Sequence, residues 1–412
     1  MPTGNYVWDY GEAESVDEIK QKAKGIPKPM LLIVKNIDDQ LQNCVNDFQY
    51  LLDDKIIKEL KSTNFTTIKQ KSIADLKSFI QENCFNTLNT IVDTINLKRT
   101  NLLGLEQASN LPKILFLSQL CESISQISTQ IPLIFPPISN TPTSGYSTSV
   151  PFTFSRLKLQ KNPLKSKLED IFHSEYLKGF TIWAKTECLT LITLLDNIVC
   201  KEEDWSSTTL RKSSWSTIEI PLNEKDAKEL IKIPSFQSPF ISNFLFKICK
   251  SFHEISSYSI HPTVIKYFCE ILCFNIPAIY RKLFQNNEQN KQLSKKVSRE
   301  GLVQILFDVK FLFDVLSCTF DHPDNWPELL TQADGYYADM KSTLSVSIKK
   351  QNLEFLTFLK QQFEPIDLAF YEPRVNTNVQ KSYLQSTVSF GYLTNLNRLY
   401  MQGYVFFLFH MN

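Results

Sequence analysis

The sequence predicts an all-α protein, and three observations favour this class. Apolar residues recur at steps of three and four along most of the 412 residues, which is the period of a helix with one buried face. Hydrophobic residues make up 43% of the chain, enough to bury a core. Only ten glycines occur, and because sharp phosphate loops and tight hairpins need glycine, their scarcity argues against Rossmann and P-loop proteins.

Residues 1–131 are predicted to form an N-terminal helical segment. A second helix is expected to start near Ser72, which with Asp75 forms a capping-box pattern. The apolar steps drift from a strict heptad and the flanking charges are not organised, so packed bundle helices are favoured over a coiled coil. The first apolar face of the segment consists of Ile33, Ile37, Leu41, Cys44, Phe48, Leu52 and Ile56.

The middle of the chain alternates between linker and helix. Residues 132–164 are predicted to be a linker, because a Pro/Ser/Thr-rich stretch is followed by a basic one. A solvated loop is favoured over a membrane or nucleic-acid patch for the basic part. Residues 165–205 are predicted to be helical. Residues 206–237 are predicted to be a polar loop with one short extended stretch, "STIEIP", which by itself would not make a sheet.

A helical bundle is predicted over residues 238–412, and its first helix starts in "IPSFQSPFISNFLFKICKSF". Ser238 is a suitable N-cap, and Pro239 fits the first helical position because that position needs no donor. A buried core helix is favoured over a docking surface for another helical subunit. The residues to which we assign this structural role are Pro239, Phe244, Leu245, Ile248 and Phe252.

Two more helices are predicted in this bundle. Ser298 is a candidate cap for the next one, with Glu300 in its first turn. Further on, Pro365 and Pro373 bracket a predicted turn that sets the entry of the final helix. The residues of that helix that we predict to contact a partner are Val375, Val379, Tyr383 and Phe390.

The sequence contains no recognisable catalytic, cofactor-binding or metal-binding motif. The five histidines, at 173, 253, 261, 322 and 410, do not occur at metal-site spacing. Asp308 and Asp314 lie six residues apart, which on a helix separates them by about 120°, so they do not converge as an acid/base pair. We interpret them as the polar flank of a buried apolar stripe. We therefore expect no enzyme activity and no cofactor.

Charge and cysteine content restrict the expected partners and compartment. The net charge is +1, so no global field attracts nucleic acid, and we expect neither a nucleic-acid partner nor a small-molecule substrate. The nine cysteines are scattered, with only Cys269 and Cys273 four residues apart, and are expected to be buried thiols in a reducing compartment. The N-terminus is unlike a signal peptide, and the apolar run "YVFFLF" is too short to span a bilayer.

Four stretches in order carry a resemblance to a known family. They are "WSTIEI", "IKIPSFQSPFISNFLFKIC", "LVQILFDVKFLFDVL" and "FEPIDLAFYEPRVNTNVQKSYLQSTVSFGYL". Together they resemble the C-terminal portion of the family of subunit 1 of the conserved oligomeric Golgi complex. The resemblance covers Trp215 to about Leu393, and family members are much longer. Residues 1–164 offer only generic helices.

The resemblance implies an elongated helical bundle, or rod, of the kind shared by multisubunit tethering complexes. It implies a non-enzymatic scaffold on the cytoplasmic face of the Golgi membrane, peripherally bound, that acts in intra-Golgi vesicle tethering and protein transport. The implied partners are the other subunits of the tethering complex, with the membrane-fusion and coat machinery of the Golgi as further candidates. The residues alone indicate a soluble all-α interaction protein, so an unrelated all-α scaffold or adaptor is the alternative.

Overall fold

A computed structural model describes ten stretches of the chain. They are residues 28–51, 66–104, 110–137, 161–202, 204–206, 215–221, 228–255, 260–285, 297–316 and 345–390. Helices account for 83% of these residues, which confirms the predicted all-α class. The chain divides into two compact units, Met1–Trp183 (unit one) and Ala184–Asn412 (unit two).

Unit one is built from helices that share one apolar core. Its centre includes Met30, Leu88 and Phe135, whose side chains are fully enclosed. Ser72 lies inside the second helix, so the predicted start there is wrong by about two turns. The helices are α1 (Lys28–Leu51), α2 (Thr66–Leu103), α3 (Leu111–Ile127), the short α4 (Ile131–Ile134) and the first part of α5 (Pro163–Asn197).

Unit two begins within α5, and its described residues form helices and a β-hairpin. Helix α5 continues into a π-helical turn, Ile198–Glu202. The elements that follow are β1 (Trp215–Pro221), β2 (Lys228–Pro234), α6 (Pro239–Glu254), α7 (Pro262–Arg281), α8 (Arg299–Leu316), α9 (Val346–Lys360) and α10 (Pro365–Phe390).

The hairpin corrects the prediction of one isolated extended stretch. Strands β1 and β2 pair antiparallel, with Trp215 opposite Pro234 and Pro221 opposite Lys228. Ile231 and Ile233 alternate onto a buried face, and β2 contacts α8 and α10. Packing on two helices stabilises a hairpin that would be marginal alone. The second strand was missed because its apolar residues are interleaved with Glu229 and Lys232 in a charged stretch.

Helix α8 is the centre of unit two. Thirteen of its eighteen residues are buried, so the helix is enclosed on all sides. It contacts β2, α7, α9 and α10. The buried set includes two polar residues, Gln304 and Asp308, among apolar neighbours. A central helix of this kind determines where the surrounding elements can lie.

The start of α8 is held by a contact with Trp205. As predicted, Ser298 caps the helix: its hydroxyl oxygen accepts the N–H of Gly301 at 3.1 Å. The N–H and hydroxyl of Ser298 both donate to the Trp205 carbonyl, at 2.9 and 3.0 Å. A Cβ atom on Gly301 would lie 2.2 Å from that carbonyl oxygen. Glycine is therefore required here by close backbone approach.

The proline-bracketed turn predicted at 365–373 is part of a helix. Helix α10 starts at Pro365, where a missing N–H is tolerated, and continues through Pro373 to Phe390. Pro373 is exposed, so the carbonyl left without its helical donor has access to water. The N-terminal half of α10 is joined to α8 by an ion pair between Arg299 and Asp367.

Helix α7 is the most apolar long helix of unit two. Over Thr263–Arg281 it is long and apolar enough to cross a membrane by length and composition, the one such helix among the described residues. Of that stretch, 56% is buried inside the structure. A core helix of a soluble protein meets the same criterion, and α7 packs against α9 and α8 within unit two.

Candidate functional site

The turn between β2 and α6 is held by side chains from two distant helices. It comprises Pro234–Ser238, and four of its five residues receive a hydrogen bond from, or donate one to, α8 or α10. Asn378 Nδ2 donates to the Pro234 carbonyl at 2.9 Å, and Gln304 Nε2 donates to the Phe236 carbonyl at 3.2 Å. We call this turn, with Gln304, Asp308, Asn378 and Ser382, the polar node.

Asp308 is the acceptor at the centre of the polar node. Its side chain is fully buried. It accepts the Ser238 N–H at 2.8 Å, the Ser238 hydroxyl, and Gln304 Nε2 at 2.9 Å. Three donors converging on one buried carboxylate give the hydrogen bonds that such a group requires. The prediction that Asp308 is the polar flank of an apolar stripe is therefore wrong.

Helix α10 reaches the same turn through Ser382. Its hydroxyl donates to Gln237 Oε1 at 2.5 Å, and Gln237 Nε2 donates in turn to the Ser242 hydroxyl at 3.0 Å. A serine inside a helix usually bonds to its own helix backbone. Here its donor is used for a tertiary contact instead. Ser382 is fully buried, so this contact lies inside the core.

Sequence reasoning missed these polar residues, although a signal for them exists. Gln304 and Asp308 are four residues apart within a mostly apolar helix, and Asn378 and Ser382 repeat that spacing. Residues four apart lie on the same helix face. Two such polar pairs on buried faces indicate a polar contact inside the core. Of the four stretches that carry the resemblance, the first lies in β1. The other three contain the turn before α6, helix α8 and helix α10, and they meet at the polar node.

Two of the predicted partner-contact residues lie in the core. Val375 and Val379 are fully buried, on the face of α10 that contacts β2 and α8. Because an enclosed side chain cannot touch a partner directly, the prediction of direct contact through these two valines is corrected. Tyr383 and Phe390 lie within α10, but their side chains fall outside the described residues, so contact through them stays a prediction.

The residues predicted to have a structural role on α6 occupy two environments. Pro239 is the first residue of the helix and is exposed. The other four residues are each at most 1% exposed; they are Phe244, Leu245, Ile248 and Phe252. The Phe252 ring packs against Phe268 of α7, with 4.7 Å between the ring centroids. Phe246, on the opposite face of α6, is half exposed.

Unit one contains an open groove beside a buried ion pair. The groove has a volume of about 580 Å³ and is lined by residues of α2 and α5, among them Arg99, His173 and Lys178. Arg99 is 3% exposed; its guanidinium pairs with the Glu175 carboxylate and donates to the Glu175 carbonyl at 2.9 Å. His173 Nδ1 lies 3.4 Å from Glu122 Oε2. These contacts join α2 and α3 to α5.

Protonation of Glu175 makes the stability of unit one depend on pH. Burial alone would raise the pKa of Glu175, but hydrogen bonds from Lys178 and Arg99 outweigh it and hold that pKa below its ordinary value. A carboxyl group with a lowered pKa stabilises the fold at pH above its unfolded pKa. That contribution is lost as the pH falls through the folded pKa.

The substitution Glu175→Gln is therefore expected to destabilise unit one in a pH-dependent way. At pH 7 it leaves the Arg99 guanidinium buried without its carboxylate, which costs roughly 3–5 kcal/mol. The difference from wild type should stay constant while the pH is above the unfolded pKa of the carboxyl group. It should shrink as the pH falls below that value and through the lowered folded pKa, because wild-type Glu175 then loses its charge too. Urea unfolding at several pH values measures this. Glu169→Gln, which breaks half-exposed pairs with Lys161 and Lys165 on the same helix, is the matched control. A pH-independent loss for Glu175→Gln would contradict the linkage.

The cysteines of the described part are thiols, and six of the seven are buried. They are Cys84, Cys121, Cys188, Cys200, Cys249, Cys269 and Cys273. Burial raises the pKa of Cys121 and Cys249 to about 12, and of Cys200 to about 11. Thiols with raised pKa values are poor nucleophiles and poor metal ligands at neutral pH. Within the described ranges, no three His, Cys, Asp or Glu side chains are grouped so that they could hold a metal ion.

Comparison with known proteins shows similarity to one kind of protein. The chain is 20% identical to conserved oligomeric Golgi complex subunit 1 of Homo sapiens over 377 residues, covering 87% of this chain and 36% of that protein. The Mus musculus protein of the same description is 18% identical over 340 residues, covering 79% of this chain and 32% of the mouse protein. The chain thus spans about a third of the length of these curated relatives. The similarity extends well beyond Trp215–Leu393. No family model and no solved structure matches the chain.

Proposed function

We propose that this chain is a non-enzymatic subunit of a vesicle-tethering complex of the Golgi. In this role it scaffolds other subunits for retrograde transport within the Golgi and for Golgi organisation, bound peripherally on the cytoplasmic face of the membrane. The observation that carries the proposal is similarity to conserved oligomeric Golgi complex subunit 1 over 87% of the chain. The name of that relative describes a subunit of a complex, and the all-α class agrees with such a role.

The polar node supports the proposal from the structure. It joins the stretches around Ile233, Asp308 and Asn378, which lie within the segments that carry the sequence resemblance. Segments that are far apart in the sequence thus meet in one buried network, as parts of one architecture do. The alternative remains an unrelated soluble all-α scaffold or adaptor, which an identity of 20% or less also permits.

Affinity purification of the tagged chain from its own cells separates the two proposals. We expect stoichiometric recovery of other subunits of a Golgi tethering complex, identified by mass spectrometry, and co-localisation of the chain with a Golgi marker. Recovery of the chain with none of these subunits would contradict the proposal and favour the adaptor. Peripheral binding is tested on the same cells by carbonate extraction, which should release the chain from membranes.

The outer face of α10 is the proposed contact of this subunit with its neighbours. Because Val375 and Val379 face inward, a contact must use exposed residues such as Thr377 and Lys381. The double variant Thr377→Glu, Lys381→Glu is expected to lower subunit recovery while helix content stays unchanged by circular dichroism. Lys247→Glu with Lys250→Glu, on the exposed face of α6, is the matched control. Equal recovery from both double variants would place the contact elsewhere.

A further inference from the structure

The hydrogen-bond pattern of the β1–β2 hairpin shows which main-chain groups point away from it. In an antiparallel pair, residue pairs that exchange hydrogen bonds alternate with pairs whose N–H and C=O groups point outward. The Ser216 hydroxyl donates to the Ile233 carbonyl at 3.3 Å, so this carbonyl points toward β1 and the two residues form a bonded pair. The pairs on either side are therefore outward-pointing. On β1 they contribute Trp215 and Thr217.

The two prolines of the hairpin agree with this assignment. Pro221 and Pro234 both stand at outward-pointing positions of the register, where the N–H that proline lacks is not needed for pairing. The Pro234 carbonyl accepts Asn378 Nδ2 of α10 at 2.9 Å, so α10 occupies that end of the outer side of β2. The opposite side of the hairpin, with the outward N–H and C=O groups of Trp215 and Thr217, is the β1 edge.

The β1 edge has unused hydrogen-bonding groups next to a partly covered apolar side chain. Within the part of the chain that the structure describes, no hydrogen bond reaches the outward main-chain groups of Trp215 and Thr217. Ile218 lies on the same face as Ile231, which is directly opposite; Ile231 is 9% exposed, whereas Ile218 is only half-buried. An edge of this kind is a template for pairing with a further strand.

The chemistry of the β1 edge selects an extended segment over a helix as its partner. The body of a helix uses its main-chain N–H and C=O groups internally, whereas an extended segment can exchange hydrogen bonds with alternate residues of an edge. Beside Ile218 the segment would carry an apolar side chain. Beside Glu219, which is exposed, an acidic side chain would be repelled, so the segment would carry a neutral or basic residue there.

We propose that the β1 edge binds an extended segment of another subunit of the tethering complex, which adds to the hairpin as a third strand. This inference rests on the proposed function, because it names a second contact of that assembly besides the outer face of α10. Main-chain hydrogen bonds to Trp215 and Thr217 set the direction of the added strand. The side chains beside Ile218 and Glu219 decide which segment fits.

Hydrogen exchange resolved to single amides tests the proposal on the wild-type chain. In the isolated chain the outward amides of Trp215 and Thr217 should exchange fast, and those of Ser216 and Ile218, which bond to β2, should exchange slowly. In the complex purified through the tagged chain, the two fast amides should slow by about tenfold or more. Unchanged fast exchange in a complete complex would overturn the inference and leave the proposed function standing. Recovery of no subunit would contradict both.

The isolated chain also tests the choice of partner. Slow exchange of the Trp215 and Thr217 amides before any subunit is added would overturn the proposal, because the edge would already be paired. Sedimentation velocity on the same sample then identifies what pairs with it. A dimer would point to a second copy of this chain, and a monomer to another segment of the same chain.

The substitution Thr217→Pro tests the same edge from the other side of the contact. It removes one outward N–H and places a ring on the edge, at a position of the same kind as those of Pro221 and Pro234, so the hairpin should persist. Subunit recovery should fall by about tenfold, which corresponds to the loss of one or two hydrogen bonds. Lys232→Pro, in the same residue pair but on the outer side of β2, is the matched control and should leave recovery unchanged.

Equal recovery from the two proline variants, with the hairpin intact, would overturn the proposal. Slow exchange of the Ser216 and Ile218 amides shows that the hairpin is intact. Where Thr217→Pro abolishes that slow exchange, the wild-type measurement decides: protection of the Trp215 and Thr217 amides in the complex supports the added strand, and its absence overturns it.

Discussion

Replacing Asp308 with alanine is expected to lower the free energy of unfolding of unit two by roughly 3–6 kcal/mol. The substitution removes the acceptor of the Ser238 N–H, the Ser238 hydroxyl and the Gln304 amide at a fully buried position. Each buried donor left without an acceptor costs about 1–3 kcal/mol. The loss is reduced because the mutant no longer has to bury a carboxylate. Hydrogen-exchange mass spectrometry along a urea series, read on peptides of α6 and α8, measures the effect.

The control for this variant is Asp314→Ala. Asp314 is on the same helix but only half-buried, so its replacement should cost clearly less. Deprotection in Asp308→Ala should be greatest at the start of α6, where Ser238 lies, and at Gln304. A loss no larger than that of Asp314→Ala would mean that the polar node contributes little to stability.

Replacing Gly301 with alanine is expected to lower the stability of unit two. The new methyl group would lie 2.2 Å from the Trp205 carbonyl oxygen, and 3.1 Å from its carbonyl carbon. These are backbone atoms, which cannot move aside as the end of a flexible side chain can. Forced overpacking costs typically about 1–3 kcal/mol and sometimes more. Alanine recovers up to about 1 kcal/mol through its better helix propensity. We therefore expect a net loss of stability, and we expect the hydrogen bonds between Ser298 and the Trp205 carbonyl to break.

Gly104→Ala is the matched control, because its added methyl group would meet nothing closer than 3.7 Å. It should leave stability unchanged or raise it slightly. For Gly301→Ala we expect a lower urea midpoint and a change in Trp205 fluorescence, since that ring packs edge-on to Phe240 and Tyr280. A Gly301→Ala protein as stable as Gly104→Ala would show that the backbone around Trp205 can shift at little cost in free energy.

Local signals predicted the parts of the fold that local contacts determine. The start of α6 at Pro239 and the cap of α8 at Ser298 were predicted from capping chemistry, which acts over one turn. The apolar face of α6 was predicted from helical period alone. Pro365 and Pro373 misled the prediction, because proline is compatible with the first turn and the interior position is exposed to water.

Features that depend on distant contacts were not predictable from the sequence. Strand β2 forms because β1, α8 and α10 pack on it. Asp308 is satisfied in its buried position because two of its three donors come from Ser238, 70 residues earlier. For Val375 and Val379, helical spacing shows that they share a face but not whether that face meets the chain's own core or another subunit. Only the packed structure answers that question.

The long sequence separations within the polar node have a consequence for synthesis of the chain. The Gln237 amide lies 145 residues before Ser382, and Pro234 lies 144 residues before Asn378. At about 5–20 residues per second, a ribosome needs on the order of 10–30 s to cover that distance. Throughout this interval the nascent hairpin and α6 expose apolar surface that only the later helices cover. Unit two therefore cannot complete its folding cotranslationally until α10 has left the exit tunnel, and chaperone binding should concentrate on the segment from Trp215 to Glu254.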